Sequence, residues 1–187
     1  RCSLASPNGA VCGRCLTRPP HYDATIAALA YRFPSDILVQ ALKFRGELAL
    51  APFLGNLLSK CIPGNSVDCV VPVPLSSERL RSRGYNQALE IARHVARAAG
   101  TRLAVELCER RRDTPAQIEL PLAERAKNVR GAFHCTRLVA GARVAVLDDV
   151  MTTGATLDEV AATLKRAGAA RVENWVIART FPHTPAY

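Results

Sequence analysis

The sequence predicts an α/β fold, a mostly parallel sheet flanked by helices, and three observations carry that expectation. Two short, almost wholly apolar runs, residues 67–74 and 144–147, read as strands buried on both faces, as in a parallel sheet. Each is followed by a helical apolar pattern and then by another strand pattern, so two βαβ units are explicit. The 187 residues suit one core of ordinary size with a small appendage, and 49% hydrophobic content is too high for a disordered chain.

The elements follow in chain order. Residues 1–20 form a cysteine-rich segment in which Cys12 and Cys15 have the spacing of a zinc-ribbon knuckle, with Cys2 as a third ligand. Tetrahedral zinc takes four ligands. The fourth is expected from upstream of Arg1, Cys2 then closing an earlier Cys-x-x-Cys, or from His21; a loose, metal-free segment is the alternative. The remainder, 21–187, is expected to be the main domain. Ser35 can cap a helix carrying Ile37, Leu38, Ala41 and Leu42 on one side, and a second helix spans about 47–59, so residues 35–60 form a helical layer. The core runs from about 66 to 181. Its first strand, 67–74, stops at prolines that cannot continue a central ladder. A basic loop follows, then a helix from Asn86 with Leu89, Ala92, Val95, Ala96 and Ala99, closed at Gly100, and a strand at 103–108. Residues 109–131 are charged, hold two prolines and show no strand signal; a connection of that length reads as a lid, a binding segment or disorder. The strand 144–147, a helix to about Ala167 and a strand at 172–178 complete the second unit.

With a cytosolic chain expected, seven cysteines do not suggest a disulfide framework, and Cys69 and Cys108 read as core thiols. The cytoplasm is the expected location. No apolar run approaches the roughly 20 residues that span a bilayer, so no membrane insertion is expected. The net charge of +9 draws anions, whether nucleic-acid backbones, phospholipids or phosphorylated metabolites. Aromatic content of 5% offers little for the stacking platforms of single-strand binders.

The chemistry concentrates after the strand at 144–147. Asp148 and Asp149 lead into Met151, Thr152, Thr153, Gly154, Ala155 and Thr156, and a helix begins there. Such a turn aims successive amides and three hydroxyls at one small volume with the positive end of a helix behind it, which suits a phosphate monoester. Gly154 lets the backbone approach the oxygens. The two carboxylates are placed to accept from vicinal hydroxyls of the sugar that bears the phosphate. An Asp pair alone would read as a turn cap; beside this turn it reads as a ligand site. Neither a P-loop nor a dinucleotide glycine pattern is present.

Residues 144–156 resemble the signature of type I phosphoribosyltransferases. Leu42-Lys43-Phe44-x-Gly46, Val71-Pro-Val-Pro-Leu75, Arg83-Gly-Tyr-Asn-Gln87, Gln117, Arg125-x-x-Asn128-Val and Gly131-x-Phe133 resemble the ComF family in order and spacing, over most of the chain. The resemblance implies a type I phosphoribosyltransferase fold with a helical hood at 35–60 and a truncated N-terminal zinc-ribbon knuckle. It further implies a protein that binds phosphoribosyl pyrophosphate (PRPP) with Mg²⁺ and transfers phosphoribosyl to an acceptor with loss of pyrophosphate. Asp148 and Asp149 would hold the ribose hydroxyls, and residues 151–156 the 5′-phosphate. Ser76, Arg79 and Arg83 would face the pyrophosphate, with Arg110, Gln117, Arg125 and Asn128 on a closing lid. Transferases of 6-oxopurines carry an Asp where this chain has Thr152, so hypoxanthine or guanine is not the expected acceptor. The family's link to competence implies an alternative, a non-catalytic nucleotide sensor that binds single-stranded DNA.

Overall fold

The computed structural model describes residues 1–4, 10–64, 66–112 and 128–181. Five strands form a wholly parallel sheet: β1 (Ala24–Ala30), β2 (Cys69–Pro72), β3 (Arg102–Leu103), β6 (Arg143–Met151) and β7 (Arg171–Arg179). Their order is β1-β7-β6-β2-β3. Two further strands, β4 (Cys108–Arg110) and β5 (Phe133–Cys135), pair antiparallel beside it.

Period-two alternation sends successive strand residues to opposite faces, and here both faces are dry. Val71, Val144, Val146, Val172 and Val176 enter one core with Leu157, Val160 and Leu164 of helix α6 (Ala155–Arg166) and with the β4–β5 pair. Val70, Ala145, Leu147, Trp175 and Ile177 enter the other, against α2 (Ser35–Phe44), α3 (Leu50–Ser59) and α5 (Gln87–Ala98). Two short helices also lie among the described residues, α1 (Gly13–Thr17) and α4 (Ser77–Arg83). Among the described residues no helix is long and apolar enough to cross a membrane.

Several elements depart from the expectations. The segment expected as a basic loop after β2 contains α4, a charged helix with no buried residue, so no apolar period announced it. Residues 103–108 do not form one strand: Ala104 N donates to Val70 O at 2.8 Å as the ladder ends, and Val105–Leu107 then turn as a 3-10 helix into β4. Ser35 is the first residue of α2 rather than its cap, and its Oγ donates to the carbonyls of Ala30 and Arg32. β1 was not expected; it is an edge strand, half-buried along its length, with no alternation to read.

The architecture places the site. The β2-to-β3 crossover runs through α5 on one face, and the β6-to-β7 crossover runs through α6 on the other. The carboxyl ends of β2 and β6 are therefore adjacent at the point where the strand order reverses, where open α/β sheets leave a crevice. Pro72 lies beside Leu147, and Val73 N donates to Leu147 O at 2.9 Å, so the chains leaving both strands emerge side by side.

Candidate functional site

Asp148 and Asp149 stand near the end of β6. Alternation gives them opposite faces, and Asp149, 2% exposed, turns toward the helices α2, α3 and α5. There Lys43, at the end of α2, brings Nζ to 2.9 Å from Asp149 Oδ2. Burial pushes Asp149 up, but the Lys43 ammonium and the hydrogen bonds it receives outweigh that and hold it below the usual carboxylate range. Asp148 is driven the other way, well above that range, by burial first and then by the charge of Asp149. Burial opposes the charge on Lys43, and the two carboxylates restore it.

Arg83, at the end of α4, joins this cluster. Its guanidinium carbon lies 5.6 Å from the centroid of the exposed Phe44 ring, and Lys43 Nζ lies 5.9 Å from the same centroid. Gln87 Oε1 accepts from Arg83 Nη1 and orients it. The helix bearing Arg83 is pinned at both ends. Ser76 Oγ accepts from Arg79 N at 3.3 Å as its N-cap, and Gly84 closes it. Asn86 ties the next helix to β2: its Oδ1 accepts from Ala88 N and Leu89 N, and its Nδ2 donates to Val73 O at 3.0 Å. Tyr85 OH donates to Leu42 O and locks this segment to α2. Of the candidates after Pro74, the structure therefore brings Arg83 beside Lys43, the partner of Asp149. Ser76 is buried as a cap, and Arg79 Nη2 is buried without a hydrogen-bond partner among the described residues.

The turn 151–156 lines one narrow cleft with Asp148, Val150 and Leu157; Met151, Thr152, Gly154, Ala155 and Thr156 all contribute. Gly154 adopts φ +83° at the N-cap of α6, a conformation that disfavours a side chain, and a Cβ there would meet Met151 Cε at 2.6 Å. Thr153 Oγ1 accepts from Ala155 N at 3.3 Å. Arg179, at the end of β7, donates Nη1 to Met151 O at 2.8 Å and also to Thr152 O. In a trans peptide the N–H points opposite to the C=O, so inward carbonyls at 151 and 152 turn the amides of Thr152 and Thr153 outward. A larger cavity, about 410 Å³, lies at the other end of the sheet around Arg102, Glu106, Thr136 and Arg137, away from these groups.

The remaining candidates lie elsewhere. Arg110 is stacked at 5.6 Å over Phe133 on the β4–β5 pair, and Asn128 O accepts from Arg112 Nη2 at 3.2 Å. Gln117 and Arg125 fall in residues 113–127, outside the described residues. Cys69 and Cys108 are buried, and burial pushes the Cys108 thiol up to about 12.

Cys2, Cys12 and Cys15 converge, with all three sulfurs within 4.8 Å of one another. Cys2 Sγ and Cys12 Sγ are 3.3 Å apart. Burial, then the neighbouring sulfurs, pushes Cys15 up to about 12, whereas the Cys15 amide lowers Cys12. Crowded thiols of this kind are the soft, mutually repelling donors that a zinc-type cation relieves, so the cluster can hold a metal. His21 is not in it: its Nδ1 lies 3.2 Å from Asp158 Oδ1.

The chain is similar to several known proteins. The model of the phosphoribosyl transferase domain matches residues 85–181. The chain is 34% identical over 188 residues to DNA utilization protein YhgH of Salmonella typhimurium, which covers 96% of this chain and 83% of that one. It is 30% identical over 178 residues to Competence protein F of Haemophilus influenzae, covering 90% and 78%. A solved structure described as the allosteric regulatory enzyme of purine biosynthesis superposes with a TM-score of 0.47 at 25% identity, over 69% of this chain and 25% of that longer one. The chain belongs to the phosphoribosyl transferase domain family, as a phosphoribosyltransferase-like protein of the ComF group.

Proposed function

We propose that this protein binds PRPP with Mg²⁺ at the carboxyl ends of β2 and β6 and transfers its phosphoribosyl group to an acceptor, releasing pyrophosphate. The observation that carries the reading is the turn 151–156, whose carbonyls are pinned inward beside an acidic pair. Outward amides and the start of α6 favour a phosphate dianion. In this reading residues 151–156 hold the 5′-phosphate, and Asp148 and Asp149 share the ribose hydroxyls. Lys43 and Arg83 put positive charge where the diphosphate departs, with Ser76 and Arg79 on the same segment and Arg110, Gln117, Arg125 and Asn128 on a cover that excludes water. Carboxylates and diphosphate oxygens are hard donors that suit Mg²⁺, which supplies charge neutralisation on the leaving group. Residues 1–20 form a metal knuckle and 21–187 the transferase domain, with a hood at 35–60 and a cytoplasmic setting.

Ligand in about 100-fold excess over its Kd adds about 2.7 kcal/mol, or about 5–10 °C in Tm for a chain of this size. PRPP with Mg²⁺ is expected to give such a rise, and Asp148→Asn with Asp149→Asn to abolish it. Equal protection in the double variant contradicts the assignment.

The names of the relatives, DNA utilization and competence proteins, together with the charge of +9, favour a second reading. There the same site senses a nucleotide, and the basic surface engages single-stranded DNA. The salt response separates the two. A surface neutralising Z single-strand phosphates weakens with a log-log slope of about −0.7Z. A chelated diphosphate follows Mg²⁺ instead.

A further inference from the structure

Arg179 is 3% exposed, yet among the described residues no carboxylate pairs with it. Among the described residues its guanidinium is held mainly by backbone carbonyls, with the Cys2 thiol and the Tyr22 hydroxyl within electrostatic reach. Nε donates to Cys2 O at 3.0 Å, and Nη1 donates to Met151 O at 2.8 Å, to Thr180 O at 2.8 Å and to Thr152 O. Burying a cation without an anion is costly, and an apolar residue would end the strand at no such cost. What the cation provides is geometry: one rigid, planar fork touches the cysteine segment and the phosphate turn at once. Tyr22 lies along the same route. It is buried, its hydroxyl sits 3.4 Å from where a Cβ on Gly154 would stand, and Cys15 and Cys2 are within electrostatic reach of it.

We infer that Arg179 is a positioning residue that couples the cysteine cluster to the turn, so that metal held at Cys2, Cys12 and Cys15 and an ordered turn at 151–156 reinforce each other. With Cys2 tied to Cys12 and Cys15, its carbonyl fixes the guanidinium. The guanidinium then holds the carbonyls of Met151 and Thr152 inward and the following amides outward. Such coupling is reciprocal, since each site biases the same local order. The turn's role as a phosphate site rests on the function proposed above, but the coupling is a property of the fold and is testable without any phosphate ligand.

The test is amide exchange by NMR on the full protein, zinc-loaded and then stripped with a chelator. Ala155 N, Asp158 N and Thr180 N each donate within or beside the turn, whereas Ala99 N and Ala104 N report the far edge of the sheet. Stripping zinc is expected to speed the first three about tenfold, within the usual range of coupling between sites, and to leave the last two unchanged. Arg179→Lys is expected to retain zinc and to exchange fast at the turn with or without it. Four results each overturn the inference: failure to take up zinc, no change on stripping, equal acceleration at all five amides, or an undiminished zinc response in Arg179→Lys. The wild-type arm stands even if the variant does not fold.

Discussion

Lys43 and Asp149 show how a single pair sets the character of the site. Removing Lys43 strands a buried carboxylate, and breaking a fully buried pair costs about 3–5 kcal/mol; partial exposure of Lys43 reduces this to about 2–3 kcal/mol. Lys43→Met is therefore expected to lower stability by about that amount at pH 7 in denaturant titration. Asp149 is held below its unfolded value, so its contribution is complete above the unfolded pKa and is lost as pH falls through the folded one. The difference between wild type and Lys43→Met should shrink as the medium is acidified below the ordinary carboxylate range. A gap that is constant with pH would show that Lys43 acts through packing alone. At this scale the sequence displayed the acids and the turn but not their partners. Asp148, Asp149 and Gly154 are contiguous in the chain, and local spacing suffices to read them. Lys43 and Arg179 reach the site from distant elements, and no local pattern distinguishes either from a surface or strand-end cation.

At the scale of elements, the sheet face that carries the site depends on how closely α3 and α5 approach. A Cβ at Gly55 would stand 2.9 Å from His94 Cβ and 3.4 Å from Ile91 O, atoms fixed to a helix rather than at the tip of a mobile side chain. Gly55→Ala gains about 1 kcal/mol of helix propensity and meets an overpacking cost of about 1–3 kcal/mol. The expected outcome is a net loss of about 1 kcal/mol in thermal or denaturant unfolding; a stabilised variant would mean that the helices part freely. Helices with an apolar stripe were legible. α5 buries Ala92, Val95 and Ala96 of the expected stripe, with Ile91 in place of Leu89, and α6 buries Leu157, Val160 and Leu164 as expected. α4 was not, because it buries nothing and exists through its cap at Ser76 and its stop at Gly84. The break after β3 was hidden for another reason. Residues 103–108 are apolar enough for a strand, but pairing with β2 ends at Leu103 and Val105–Leu107 then turn as a 3-10 helix.

For the whole molecule, the decisive feature is the reversal of strand order between β2 and β6, which sets a basic segment beside an acidic strand end. Parallel pairing follows from runs dry on both faces, and the crossovers follow from helices that fill the intervals, so the two βαβ units were readable from apolar pattern, whereas the edge strand β1 and the β4–β5 pair were not. What the pattern did not reveal is how the parts interlock across the sheet: the hood through Lys43, the cysteine segment through Arg179. A co-crystal structure with PRPP and Mg²⁺ tests this arrangement most directly. The 5′-phosphate is predicted to lie against residues 152–156, with amide nitrogens about 3 Å from its oxygens and the ribose hydroxyls on Asp148 and Asp149. A well-ordered ligand bound away from that turn, or a turn left empty in crystals grown at saturating ligand, would contradict it.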